Sequence, residues 1–118
     1  MQTVRNRLRS FRFAFNGILA FLRSEPNGRI HLAATAAVIA LACWLRCTLT
    51  EWVLLTLVMA LVWITEMLNT AIEKVMDHLS PERHPAVKWI KDVAAGAVLV
   101  AAIAAVVTGL LIFIPKFI

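Results

Sequence analysis

Residues 52–77 read WVLLTLVMALVWITEMLNTAIEKVMD, and this run decides the architecture. From Trp52 to Ile64 it is apolar apart from Thr56; Thr65, Glu66, Asn69, Thr70, Glu73 and Asp77 then follow without a helix breaker. Positions 66, 69, 73 and 77 are three, four and four residues apart, a spacing that puts all of them on one face of an α-helix. At about 1.5 Å per residue, Glu66 falls roughly 21 Å along the helix from Trp52, and Glu73 roughly 31 Å. A bilayer core is about 30 Å thick, so Glu66 is expected just inside one boundary and Glu73 and Asp77 at or beyond it. Ionisable groups at such depths are costly and usually functional.

The whole chain agrees with a lipid environment. Its 118 residues allow one domain, 61% of them are hydrophobic, 16% are charged, and the mean hydropathy is +0.81. In water so apolar a chain would carry large adhesive patches. The net charge of +5 does not point to nucleic acid, because the basic residues flank apolar segments instead of forming one continuous face. The expected class is an all-α membrane protein, with an amphipathic surface helix followed by three transmembrane helices.

Outward from the central run, residues 3–23 read as the surface helix. Leu8, Phe11, Phe15, Ile18, Leu19 and Leu22 recur at three- and four-residue spacing, with arginines mostly off that stripe. Its basic start resembles a signal peptide, but Arg12 and Asn16 interrupt the apolar stretch and no small-residue cleavage site follows. Ser24-Glu25-Pro26-Asn27-Gly28 reads as a turn. Residues 31–47 form a short first span. Residues 52–73 form a second, for which Thr50 is the expected N-cap and Glu51 complements the helix dipole. The chain should break near Ser80-Pro81 and run as a polar surface piece to Lys91. A third span follows over 92–114, whose alanines and Gly96 permit close helix packing.

Orientation follows from Lys and Arg. Six precede the first span and four lie between the second and third, against Arg46 and Lys116 on the other side. The N-terminus and the 74–91 connection are therefore expected in the cytoplasm, and the C-terminus outside. Trp44 and Trp52 suit the outer interface and Trp89 the inner one.

The chemistry gathers at the cytoplasmic end. Glu66, the more desolvated carboxylate, is placed to accept a proton, and Glu73, nearer water, to hold a divalent cation through oxygen. Glu25 stands at the same interface, where it could serve as a second metal carboxylate, although an acid in a surface turn is also commonplace. Lys91-Asp92 opens the third span; Lys91 can neutralise a transferring phosphate, or can simply snorkel. His31, His78 and His84 share no metal-ligand spacing. Cys43 and Cys47 read as small packing residues rather than a disulfide or a metal site. The four glycines are isolated, so no glycine-rich phosphate loop exists. Any nucleotide must be held by carboxylate-bound metal and basic side chains, which suffices for phosphoryl transfer.

These motifs resemble a known family. The run Thr65-Glu66-Met67-Leu68-Asn69-Thr70-Ala71-Ile72-Glu73, then Asp77, then Lys91-Asp92-Val93-Ala94-Ala95-Gly96-Ala97, is similar to the signature of prokaryotic diacylglycerol kinases and undecaprenol kinases. The resemblance implies an ATP- and Mg²⁺-dependent lipid kinase working as a homotrimer with active sites shared between subunits. It implies that Glu66 is the catalytic base, with Asn69 and Lys91 beside it in the active site. Glu25 and Glu73 would be the metal carboxylates, and Arg9, Phe13, Asp77, Lys91 and Asp92 the nucleotide contacts. The segments at 10–18 and 25–31 look more like the undecaprenol-kinase branch, since enteric diacylglycerol kinases tend to carry an acid where His31 stands and a tyrosine near Phe13. An apolar groove accommodates either lipid.

Two other classes compete. In a small ion- or proton-conducting subunit Glu66 would be a relay, and in a non-catalytic scaffold the polar stripe would join subunits. A relay needs polar residues continuing toward the outer face, and 52–64 offers only Thr56. A one-sided site facing the cytoplasm, where ATP is, fits better.

Overall fold

The computed structural model describes residues 2–80 and 84–118, all of them in helices or short connections. Four helices follow in order: α1 (Gln2–Ser24), α2 (Pro26–Trp44), α3 (Leu49–Leu79) and α4 (Pro85–Phe117). Two of them, α3 and α4, are long and apolar enough to cross a membrane. The chain is thus an all-α, four-helix membrane-type protein. It divides into two compact units, Met1–Ala36 and Ala37–Ile118.

In the first unit α1 and the start of α2 meet at an elbow with a single non-helical residue, Glu25. Expectation from the sequence was a turn over residues 24–28. The correction has a physical cause: Pro26 takes the first position of α2, where its fixed φ is pre-organised and its missing N–H costs nothing. The Phe21 ring packs on Gly28, both buried, and a Cβ at Gly28 would stand 2.9 Å from Phe21 Cε2. Arg29 Nη1 donates to the Arg23 carbonyl at 3.2 Å, a further tie across the elbow.

In the second unit α3 starts at a capping box. The Thr48 hydroxyl accepts from the Glu51 N–H at 3.2 Å, while Glu51 Oε1 accepts from the Thr48 N–H at 2.9 Å. The cap is therefore Thr48, not Thr50, because only Thr48 has a glutamate three residues on to complete the reciprocal pair. Just before it, α2 ends in a Schellman motif: the Cys47 N–H bonds to the Ala42 carbonyl at 3.0 Å and the Arg46 N–H to that of Cys43 at 3.3 Å. Arg46 fills the left-handed position, with φ 54°, which costs a non-glycine residue roughly 1–2 kcal/mol. Cys43 and Cys47 are both free thiols.

Pairing of α3 with α4 holds this unit together. Ala42, Leu55 and Ile112 form a small core, ringed by Val38, Cys47, Trp52, Met59 and Phe113. Lys116 Nζ lies 2.9 Å from Glu51 Oε1 and Trp44 stacks obliquely on Phe117, so the end of α4 is fastened to the start of α3 and to the end of α2. Little else is enclosed. Leu57, Leu61, Ile64, Leu99, Ile103 and Leu111 are all exposed, as apolar residues are when lipid takes the place of a core.

The start of α4 differs from expectation. It is helical from Pro85, seven residues before Asp92, with His84 as N-cap accepting the Ala86 N–H on Nδ1 at 3.1 Å and Pro85 at the first position. Residues 85–91, in which Lys88 and Lys91 are the charged positions, are the first two turns of the helix, not a surface connection. Pro81 and Arg83, used above for the chain break and the charge count, lie outside the described residues.

Candidate active site

The polar stripe of α3 keeps its helical register. Glu66 is 6% exposed and is the buried charged residue among those described. One turn on, the Asn69 side-chain nitrogen donates to Glu73 Oε1 at 3.3 Å. That bond fixes the amide's direction, since a carboxylate only accepts, and it leaves Asn69 Oδ1 buried with no hydrogen-bond partner among the described residues. An orphaned acceptor of this kind is rare and calls for an explanation; a donor brought by a ligand supplies one. Thr65 does not fill that role, because its hydroxyl bonds back to the carbonyls of Leu61 and Val62 at 2.8 and 3.1 Å.

The start of α4 brings its charges to the same end of α3. Lys91 Nζ stands 2.5 Å from Asp77 Oδ1, and Lys88 Nζ stands 2.5 Å from Asp92 Oδ2 one turn along its own helix. Between the helices a groove of about 330 Å³ is lined by Asn69, Ile72, Trp89, Val93 and Ala97, among others. It is an apolar slot with the stripe's amide in its wall.

The second unit therefore carries Glu66, Asn69, Glu73 and Asp77 on α3 and Lys91 and Asp92 on α4. Arg9 and Phe13 are exposed on α1, and Glu25 is the elbow residue; these three belong to the first unit. Among the described residues no three His, Cys, Asp or Glu side chains converge as a metal site. Sequence reading passed over Lys88, although a lysine four residues before an aspartate is a recognisable helix pair. It also gave Trp89 only an interfacial role, whereas Trp89 walls the groove.

The described residues thus form a helical membrane-type chain with a buried carboxylate, an orphaned amide oxygen and two lysine–aspartate pairs along two long helices. Comparison with known proteins gives the family. The family model described as prokaryotic diacylglycerol kinase matches residues 12–113. The undecaprenol kinase of Bacillus subtilis is 40% identical over 108 residues, spanning 92% of this chain and 88% of its own. A diacylglycerol kinase of Synechocystis is 42% identical over 115 residues, 97% of this chain and 66% of its own. The diacylglycerol kinase of Escherichia coli K12 is 36% identical over 96 residues, 81% and 79% of the two chains. The chain belongs to the prokaryotic diacylglycerol kinase family of lipid kinases.

Proposed function

We propose that this protein transfers the γ-phosphoryl group of ATP to the hydroxyl of a membrane lipid alcohol, undecaprenol or diacylglycerol. The observation that carries the reading is the buried Glu66 carboxylate, in register on α3 with the Asn69–Glu73 pair and, about three turns beyond it, with Asp77, which Lys91 reaches.

In this reading Glu66 takes the proton of the lipid hydroxyl as its oxygen bonds to the γ-phosphorus and the bond to ADP breaks. Asn69, one turn on along the same helix face, stands beside Glu66 in the active site. Lys91 neutralises charge on the transferring group. Its bond to Asp77 is exposed, and such pairs are worth about 0–1 kcal/mol, so a polyphosphate can draw the lysine away. Arg9, Phe13, Asp77 and Asp92 contact the nucleotide. Glu73 is a hard oxygen donor of the kind Mg²⁺ takes, and Glu25 is another carboxylate of that kind. Mg²⁺, when bound, would shield the phosphate charge. The alanines of α4 permit close helix packing and support assembly as a homotrimer, and the apolar run of α2 supports a third span. The Lys and Arg distribution supports a cytoplasmic N-terminus in a bacterial inner membrane.

Purified protein in detergent, given labelled ATP and Mg²⁺ with diacylglycerol or undecaprenol separately, tests the proposal. Phosphatidic acid or undecaprenyl phosphate is expected, and the relative rates name the lipid. Absence of both products would sink the reading.

A further inference from the structure

At the end of the second unit opposite the stripe, Arg46 combines three properties. It is the non-glycine residue with positive φ among those described. It is exposed. Its guanidinium makes no hydrogen bond or ion pair with the described residues.

Nothing in the fold asks for an arginine there. The Schellman bonds run from the backbone N–H groups of Arg46 and Cys47, and glycine would make them without strain. The acid at this end, Glu51, is engaged by Lys116 and by the Thr48 N–H. No other Asp or Glu occurs between Glu25 and Glu66 in the sequence. A favourable interaction with the α2 carboxyl end accounts for a cation in general, but not for this residue against the easier glycine.

The surroundings state what the guanidinium meets. Trp44, 72% exposed, sits beside Phe117, and exposed Leu49 opens α3. Tryptophan at the end of a long apolar helix marks a membrane–water interface. An unpaired guanidinium at that level lies among phosphates, whose oxygens match its planar fork two at a time.

We infer that Arg46 is a lipid-phosphate anchor, binding the headgroup of an anionic phospholipid where α2 gives way to α3. Local backbone strain is retained because the side chain is used. The inference rests on the long helices crossing a bilayer and not on the kinase reading, so a protein without phosphoryl-transfer activity leaves it testable.

The test compares melting of the full chain in phosphatidylcholine nanodiscs and in nanodiscs with part of that lipid replaced by phosphatidylglycerol. The wild type should melt higher with phosphatidylglycerol. Arg46→Gly should melt higher than wild type in phosphatidylcholine alone, since strain is relieved, yet lose most of the phosphatidylglycerol rise. Arg46→Gln, which keeps the Cβ and its strain, should lose the rise without the gain, and Arg46→Lys should keep part of it. A rise that survives in the glycine and glutamine variants, or is absent in wild type, or is matched by inorganic phosphate, overturns the inference.

Discussion

Lys91 Nζ and Asp77 Oδ1 are 2.5 Å apart and fourteen residues apart in sequence, an ion pair that joins the start of α4 to the polar end of α3. Both partners are substantially exposed, so the pair guides position more than it stabilises. Asp77→Asn is expected to change stability by no more than about 1 kcal/mol. Lys91→Met, in contrast, should reduce lipid phosphorylation by roughly a hundredfold or more, the scale on which lost charge stabilisation acts. Thermal melts in detergent beside a phosphorylation assay separate the effects; equal rates for Lys91→Met and wild type would remove the lysine from the reaction.

Glu66→Gln keeps the shape of a buried side chain while deleting the proton acceptor. Turnover should fall by roughly 10²–10⁴-fold, with helicity and oligomeric state unchanged. Loss of an assembly that the wild-type chain forms under the same conditions would instead favour a structural role for the stripe.

Thr48→Ala removes one half of the capping box and should destabilise the second unit by about 1 kcal/mol. Activity per folded molecule should be preserved, because the cap lies at the end of α3 away from the stripe. Denaturant titration by circular dichroism reads the first quantity.

Gly28→Ala places a methyl 2.9 Å from Phe21 Cε2 and 3.3 Å from the Phe21 carbonyl. The ring can shift and the backbone cannot, so a loss of about 1–3 kcal/mol is expected. Pairing it with Phe21→Leu should restore part of that loss, and additive losses would show that the two residues do not share the elbow.

How much of this was legible in the sequence depended on range. The register of Glu66, Asn69, Glu73 and Asp77 is a property of one helix, and spacing alone predicts it. Spacing also gives the depth of Glu66 along that helix, but its burial among protein atoms depends on which neighbours cover it and is not a local property. The start of α4 was misread because Lys88 and Lys91 look like solvated surface, while the signal that mattered was local: His84 followed by Pro85. The Thr48–Glu51 box was visible in the Thr-x-x-Glu spacing, but Thr50 adjoins the apolar run more closely. Pairing Lys91 with Asp77 was beyond local reading, since it depends on how α4 returns along α3.

The exposed leucines, isoleucines and valines of α3 and α4 have a calorimetric consequence. Heat capacity rises on unfolding when apolar surface enters water, by about 12–15 cal/mol/K per residue in soluble proteins. Here that surface already faces outward in the folded chain and stays among hydrocarbon tails when the helices separate. Scanning calorimetry in bilayers should therefore give an increment per residue far below the soluble range, and a stability curve that is nearly straight with temperature.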